Sequence, residues 1–191
     1  GGTGAAPLEF MDHVGMPLRD GLTFAHNALI GVGLRDRIRI GASGKITSAF
    51  DMARVMALGA DWCNAARGFM FAVGCIQAQS CHTGMCPTGV TSQDPLRQRA
   101  VVVPDKAERV TNFHHNTLHA LGELVAAAGL THPSELRPHH FNRRGNSDSV
   151  ISFADQYEQL QPGQLLVDPA SSPRFSGPWK QSSAASFDRV S

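Results

Sequence analysis

The sequence comprises 191 residues, of which 42% are hydrophobic and 17% are charged, a composition typical of a folded globular domain or of part of one. Its 17 lysine and arginine residues nearly balance 16 aspartate and glutamate residues, which gives a formal net charge of +1. This balance excludes the broad basic surface that draws a protein to nucleic acid or to an anionic membrane.

The chain starts with a run of small residues, Gly-Gly-Thr-Gly-Ala-Ala-Pro, at positions 1–7. Such a loop lets a ligand approach the backbone closely, because glycine carries no Cβ. A glycine turn normally connects two elements, and no methionine precedes this one. We therefore expect the chain to be the C-terminal portion of a longer protein.

A strand–helix–strand unit is predicted next. The predicted elements are a helix over residues 20–34, a strand over 37–40, a helix over 48–58 and a strand over about 61–65. Asp20 is a candidate N-cap for the first helix, and Gly59 ends the second. Strands separated by a helix at this spacing are typical of parallel α/β architecture.

The rest of the chain is predicted to be helical and then irregular. A long helix over about 105–128 has Asp105 as its N-cap. A short helix restarts at His132 and is ended by Pro138. Beyond about residue 168 the composition is rich in Ser, Pro and Ala, and we expect this tail to be disordered.

Three of the four cysteines, Cys75, Cys81 and Cys86, fall within one segment with the spacing C-x5-C-x4-C-P. Without a secretory signal, such a group is more often a metal or redox site than a disulfide framework. Iron–sulfur clusters need several thiolates that converge from flexible backbone, and this segment contains glycines. Three ligands without a nearby fourth fit a [3Fe–4S] cluster better than a [4Fe–4S] cluster.

The spacing leaves two other interpretations open. The same cysteines together with His82 would give a Cys₃His zinc set, although the paired C-x2-4-C hooks of structural zinc sites are missing. The thiols could equally be plain core residues, since free cysteine packs like a small hydrophobic side chain. Cys63 stands apart and is interpreted as a buried strand residue.

Two loops that follow the predicted strands form a second candidate site. They comprise Ser43, Gly44 and Lys45 after the first strand and Asn64, Ala65, Ala66 and Arg67 after the second. In an α/β barrel, the loops after the last two strands commonly bind phosphate through backbone N–H groups and a helix N-terminus. Lys45 and Arg67 would complement a flavin phosphate. The alternative is that Arg67 pairs with Asp61 or Asp51 and that the lysine is solvated.

Three segments resemble the synthase domain of glutamate synthase: residues 1–7, residues 59–75 and the stretch from Cys75 to Val90. The resemblance covers roughly residues 1–140 and extends to the shorter FMN-binding glutamate synthase family proteins of bacteria, which lack the glutaminase domain. It implies an α/β fold, in which this chain is the C-terminal part of a (β/α)₈ TIM barrel with strands seven and eight. Strands one to six would lie in a missing N-terminal part of the same barrel.

The resemblance also implies a division of the chain. Residues 1–103 would belong to the FMN-binding barrel and include the iron–sulfur loop, residues 104–145 would form a helical extension, and residues 146–191 a variable, partly disordered tail. Two strands cannot close a barrel, and their edges would be unpaired and apolar. We therefore expect that the chain alone does not form a well-folded enzyme.

The family's motifs imply roles for residues of this chain. Its three cluster cysteines map onto Cys75, Cys81 and Cys86, and its FMN phosphate loops map onto residues 43–45 and 64–67. The residues implied near the flavin and 2-oxoglutarate are Gly2, Thr3 and Gly4. Both phosphate loops depart from the large glutamate synthases, with Ser-Gly in place of Asp-Gly and Asn-Ala-Ala-Arg in place of Gly-Phe-Gly/Ala-Thr. The family's substrate-contacting Lys and Gln lie upstream, so no catalytic residue is assigned.

The implied reaction is reductive amination. Electrons pass through the [3Fe–4S] cluster to FMN, and reduced FMN delivers hydride to 2-iminoglutarate, formed from 2-oxoglutarate and ammonia, to give L-glutamate. The ammonia is free or derived from glutamine, and an electron-donor or glutaminase subunit is the expected partner. The expected location is the cytoplasm, with membrane attachment through the missing N-terminus left open.

Two alternatives to this function come from different classes. One is another FMN and iron–sulfur oxidoreductase on the same barrel, which acts on a different amine or 2-oxo acid. The other is a non-catalytic metal-binding module used for interaction.

Overall fold

The fold is given by a computed structural model, which describes residues 6–145 and 149–188. Its helices are α1 (Leu8–His13), α2 (Leu18–Gly31), α3 (Ala49–Ala57), α4 (Ala66–Val73), α5 (Pro95–Gln98), α6 (Val103–Ala127), α7 (Phe153–Gln156), α8 (Gln164–Val167) and α9 (Pro173–Lys180). Its strands are β1 (Gly41–Ser43), β2 (Trp62–Asn64), β3 (Asn142–Arg144) and β4 (Val150–Ser152). The expected ligand loop with Gly2, Thr3 and Gly4 lies outside the described residues.

A parallel strand pair confirms the predicted strand–helix–strand unit. β1 and β2 lie side by side in parallel, with Ser43 opposite Asn64, and α3 connects them. α3 begins with a capping box, in which the Ser48 side chain and the Asp51 side chain each accept a hydrogen bond from the other residue's N–H. Gly59 follows the helix with a φ of +111°, a conformation that favours glycine. The chain is therefore a mixed α/β protein.

The first strand begins later than predicted, so the strand prediction for residues 37–40 is wrong. The alternation of Arg and Ile at these positions is typical of a strand, but the Ile40 N–H donates to the Asp61 carboxylate at 2.7 Å. The parallel pairing starts at Gly41 instead. A Cβ at Gly41 would lie 2.5 Å from the Trp62 ring, so the residue that opens the strand must be small.

The long helix of the second half is α6, and it begins earlier than predicted. It starts at Val103 with Pro104 in its first turn, so the prediction of Asp105 as N-cap is wrong. Proline suits this place because first-turn N–H groups have no partner within the helix. The inner face of α6 buries Leu121 and Val125 against the alanines of α3. Among the described residues no helix, α6 included, is long and apolar enough to span a bilayer.

α4 packs on the N-terminal half of α6 through an aromatic contact. The rings of Phe69 and Phe113 meet edge to face, with their centroids 5.1 Å apart. Gly68 lets the two helices approach, because a Cβ there would lie 2.8 Å from the Phe113 ring. This contact determines which residues of α6 lie beside the C-terminal end of α4.

The C-terminal tail packs on the rest of the molecule, so the expectation of disorder beyond residue 168 is wrong for α9. Phe175 of α9 is buried and stacks on Phe24 of α2, with ring centroids 4.7 Å apart. Upstream of α9, Phe153 and Tyr157 complete the core under the strand pair. The other buried members of that core are Leu22, Ala42, Ile46, Val55, Leu58 and Ala60.

Asn27 connects α2 to the tail through its side-chain amide. It donates to the Glu158 carbonyl and accepts from the Leu160 N–H, both at 2.9 Å. Nearby, Arg174 donates to the Thr23 hydroxyl at 3.2 Å. Asn27 is buried, so a substitution that removes its amide leaves backbone groups without partners away from water.

We expect the substitution Asn27→Ala to loosen the tail without unfolding α2. The lost hydrogen bonds should lower the local opening free energy by about 2 kcal/mol, which corresponds to about thirty-fold faster amide exchange in residues 157–168. Hydrogen–deuterium exchange with mass spectrometry measures this change. The matched control is Asn116→Ala, which removes an exposed asparagine from α6. Equal exchange in both variants would contradict the assigned role of Asn27.

Candidate functional site

Both predicted phosphate loops lie at the same edge of the strand pair. Because β1 and β2 are parallel, with Ser43 opposite Asn64, the residues that follow the two strands emerge side by side. The first loop continues through Gly44 and Lys45 into α3, and the second passes through Ala65 into α4. The structure therefore brings the two loops together, as a shared ligand site requires.

The first loop offers little room for an anion at the start of α3. The N–H groups of Thr47 and Ser48 both donate to the Asp51 carboxylate at 3.2 Å, so a negative charge already occupies this helix terminus. Lys45 has a φ of +53°, a conformation that few residues other than glycine adopt. Ile46, only 2% exposed, anchors the loop in the core. The contribution of this loop to a ligand must come from residues 43–45.

The second loop is the better anion site of the two. The N-cap residue of α4 is Ala65, which has no side-chain oxygen to accept from the first-turn N–H groups. Those N–H groups and the positive end of the helix dipole favour a negatively charged ligand. Ala66 and Arg67 form the first turn of α4, and the arginine is half-buried.

Asp61 and Asp51, the two acidic residues considered as partners for Arg67, each form ion pairs with other arginines. The Asp61 carboxylate binds Arg35 at 2.8 Å and Arg39 at 3.1 Å. The Asp51 carboxylate binds Arg54 at 2.8 Å. These ion pairs stabilise the ends of the strand–helix–strand unit.

The cysteine segment leaves α4 at Gly74 and changes direction repeatedly. The residues of this stretch with positive φ are Gly74, Gln77, Gln79, Gly84 and Gly89. The Gln77 N–H donates to the Cys75 sulfur at 3.4 Å, and Cys81 begins a short 3₁₀ turn. A backbone that turns in this way can supply N–H donors as well as thiols to an iron–sulfur cluster.

Cys86 is buried, and its surroundings favour the thiolate. Burial acts to raise the pKa of Cys86, but hydrogen bonds from the Thr88 hydroxyl and from the N–H groups of Thr91 and Thr88 outweigh it and lower the pKa to about 6. At neutral pH the sulfur is therefore largely in the form that binds iron. The Thr91 hydroxyl lies close enough to act in the same direction.

The three cysteines are not gathered around one point. Among residues 6–145 and 149–188, no group of three His, Cys, Asp or Glu side chains lies close enough together to hold a metal ion. The same finding applies to the zinc set with His82, which is exposed. Three thiols are the ligand type that an iron–sulfur cluster uses. Their sulfurs are not close enough together to share one cluster, so the loop would have to close around it.

Cys63 differs from the other cysteines in position and chemistry. It lies in β2, half-buried, and its sulfur is 4.0 Å from the Met52 carbonyl. Burial raises the pKa of the Cys63 thiol to about 11. This thiol stays protonated at neutral pH, which agrees with its interpretation as a packing residue.

A second polar site, which the sequence did not predict, lies at the opposite end of the strand pair. Arg35 donates to the His26 Nδ1 at 2.9 Å, to the Gly59 carbonyl at 2.8 Å and to the Asp61 carboxylate at 2.8 Å. A cavity of about 900 Å³ opens beside these residues, between α2, the end of α3 and residues 157–160. Its groups are far apart in sequence, so no local motif could have indicated it.

His26 is held neutral in this network. Burial lowers the pKa of His26 from 6.5 to about 4; the charges of Arg35 and Arg137 lower it as well, and Asp61 opposes them. The neutral ring is the form that can accept the hydrogen bond from Arg35 at Nδ1. The network therefore depends on His26 staying deprotonated.

A family model described as a conserved region in glutamate synthase matches residues 1–131. A glutamate synthase large subunit-like protein YerD of Bacillus subtilis (strain 168) is 41% identical over 160 residues, which cover 84% of this chain and 30% of the relative. An archaeal NADPH glutamate synthase of Methanocaldococcus jannaschii is 37% identical over 145 residues, which cover 76% and 28%. The chain thus spans less than a third of the length of these relatives.

We expect acid to destabilise the protein through His26. Because the pKa is about 4 in the folded chain and 6.5 in the unfolded one, the unfolded chain binds the proton more readily. The stabilisation is fully present above pH 6.5 and falls by about 3 kcal/mol as the pH drops to about 4. The free energy of unfolding, measured with urea from pH 7 to pH 4, should fall less in His26→Gln than in the wild type. Parallel curves for the two proteins would contradict this role.

Proposed function

The chain belongs to the glutamate synthase family, and from this membership we propose that it is the C-terminal part of a (β/α)₈ barrel enzyme that forms L-glutamate. The proposed substrates are 2-oxoglutarate and free or glutamine-derived ammonia. The upstream part of the barrel would supply strands one to six and the catalytic residues. An electron-donor or glutaminase subunit is the proposed protein partner.

The observation that carries the proposal is the position of α4 between two candidate cofactor sites. Its N-terminus follows the loop Asn64–Arg67, and its C-terminus leads directly into the cysteine segment. The helix has 8 residues, so it spans about 12 Å at 1.5 Å per residue. A short rigid helix would therefore keep a bound flavin phosphate and a cluster at a constant separation.

The residues of this chain would bind the phosphate end of FMN. The uncapped N-terminus of α4, with Asn64, Ala65, Ala66 and Arg67, is the proposed main contact. The neighbouring Ser43, Gly44 and Lys45 would contact the ligand from β1, the paired strand. Gly2, Thr3 and Gly4 are proposed to lie close to the flavin ring or to 2-oxoglutarate.

Cys75, Cys81 and Cys86 are the proposed ligands of a [3Fe–4S] cluster. The low pKa of Cys86 means that this ligand need not lose a proton when iron binds. The other two sulfurs would be drawn in as the loop closes, since metal binding commonly orders its own site. When bound, the cluster and FMN supply the electron transfer and the hydride chemistry that the protein itself cannot provide.

Composition of the full-length protein tests the cofactors. We expect flavin absorbance, together with iron and acid-labile sulfide at about three to four. The variants Cys75→Ser, Cys81→Ser and Cys86→Ser should each lose iron and sulfide, and glutamate formation from 2-oxoglutarate with glutamine or ammonia should fall with them. Cys63→Ser is the matched control and should keep the cluster. Zinc without sulfide, or equal loss in the control, would contradict the proposal.

A carboxylate placed at the start of α4 tests the phosphate site. Ala65→Asp should stabilise the helix by about 1 kcal/mol, because aspartate is a favoured N-cap. Its charge would nevertheless occupy the N–H groups and repel the phosphate, so FMN affinity should fall at least ten-fold.

The neutral variant Ala65→Asn caps the same N–H groups and is the matched control. It should weaken FMN binding less than the aspartate does, because it adds no charge. Affinity is measured by fluorescence titration of the flavin-free full-length protein. Unchanged affinity in Ala65→Asp would place the phosphate elsewhere.

A further inference from the structure

The cavity beside Arg35 and His26 has no part in the proposed function. Its volume is about 900 Å³, and it lies at the end of β1 and β2 away from the candidate phosphate loops. Besides its charged groups, it is lined by the apolar or aromatic side chains Ile30, Met56, Leu58, Trp62, Leu136 and Tyr157. The cavity therefore has the size and the mixed lining of a site for a small organic molecule.

A connected row of polar side chains forms one wall of the cavity. Arg39 and Arg35 both bind the Asp61 carboxylate, at 3.1 Å and 2.8 Å. Arg35 also donates to the His26 Nδ1 at 2.9 Å, and the charge of Arg137 acts on the same histidine. All five residues line the cavity. Because one carboxylate serves two arginines, the row carries surplus positive charge.

Three members of this row retain donors for a ligand. Since the His26 Nδ1 accepts from Arg35, the neutral ring carries its proton on Nε2. Arg137 donates to two backbone carbonyls of its own segment through Nη1 alone, at 2.7 Å and 2.8 Å. Arg39 likewise uses only Nη1. Within residues 6–145 and 149–188, the His26 Nε2 and the remaining guanidinium nitrogens of Arg137 and Arg39 donate to no other group.

The acidic residues around the cavity leave these donors available. Asp61 is already shared by two arginines. Glu135, near Arg137 in the sequence, instead accepts from the N–H and the hydroxyl of Thr131, at 3.2 Å and 2.8 Å. The two other acidic lining residues are Asp36, which is exposed, and Glu158, which is half-buried. A lining with charges of both signs disfavours a polyanion and favours a ligand with one or two carboxylates.

We propose that this cavity binds a small organic acid through a carboxylate, with Arg137, Arg39 and the His26 Nε2–H as donors. A guanidinium group matches a carboxylate well, because its planar fork can donate two parallel hydrogen bonds. The apolar side chains of the lining would contact the carbon skeleton of the acid. The inference goes beyond the proposed function and involves neither flavin nor cluster.

Binding of glutarate to the full-length protein tests the site. Calorimetric titration gives the affinity, and hydrogen–deuterium exchange with mass spectrometry gives the location. Glutarate should slow exchange in residues 26–39 and 132–138, which contain the donors and much of the lining.

Substitutions of the two arginines test the donors. Arg137→Gln should weaken glutarate binding about ten-fold, because a hydrogen bond to a charged group is lost. Arg39→Gln should weaken it by about two- to three-fold, since that side chain is 73% exposed and more strongly screened. Arg137→Lys keeps the charge without the fork and should lie between Arg137→Gln and the wild type. Arg143→Gln removes an exposed arginine of β3 that does not line the cavity, and it is the matched control.

Two further probes define the ligand class. L-Glutamate that protects the same segments more strongly than glutarate would identify the acid as an amino acid, and weaker protection would identify an acid without an amino group. Inorganic phosphate that binds there as tightly as glutarate would overturn the assignment of a carboxylate site.

The inference is wrong if glutarate leaves exchange in both segments unchanged. It is also wrong if Arg137→Gln, Arg39→Gln and Arg143→Gln all bind glutarate alike. Where the Tm of Arg137→Gln falls, Arg39→Gln decides, because its exposed side chain contributes little to the fold. None of these measurements needs turnover, so a failure of the proposed function would show separately, as a protein without flavin, iron and sulfide.

Discussion

The carboxylate of Asp61 determines how the strand pair is assembled. It accepts from the Ile40 N–H at 2.7 Å, while the Asp61 N–H donates to the Ile40 carbonyl at 2.8 Å. The two segments that lead into β1 and β2 are therefore joined just before the strands start. Its ion pair with Arg35 extends the connection to His26 and to the end of α3. With this end secured, Ser43 lies opposite Asn64 at the other end, and both candidate phosphate loops emerge together.

The position of the cysteine segment follows from the same pairing through α4. β2 delivers the chain to Ala65, α4 carries it away from the strand edge, and Gly74 turns it into the cysteine loop. The contact of Phe69 with Phe113 then holds α6 against this helix. The start of each candidate site is therefore placed by backbone pairing and by helix packing, while the cysteine segment continues beyond α4 as irregular backbone.

Sequence reasoning succeeded where the signal was local. The helix predicted over residues 48–58 is α3, which ends just before Gly59 as expected, whereas the role of the cysteine spacing stays a prediction. It failed at two helix starts, because Asp20 and Asp105 lie in the first turns of α2 and α6 and not at their N-caps. It also failed where distant residues decide: the strand predicted at 37–40 starts instead at Gly41, because Asp61 takes the Ile40 N–H. The tail looked disordered from its composition, yet Phe175 finds an aromatic partner about 150 positions upstream at Phe24.

The connection between Asn27 and the tail has a consequence for how the protein is made. The Asn27 side chain bonds to Leu160, which lies 133 positions later in the sequence, and Arg174 reaches the Thr23 hydroxyl across 151 positions. Contacts of such long sequence separation form late and slow folding, since the chain between them must first be brought together. During synthesis, α2 leaves the ribosome long before its polar partners exist. Until residues 158–174 are translated, the Asn27 amide and the Thr23 hydroxyl lack these partners.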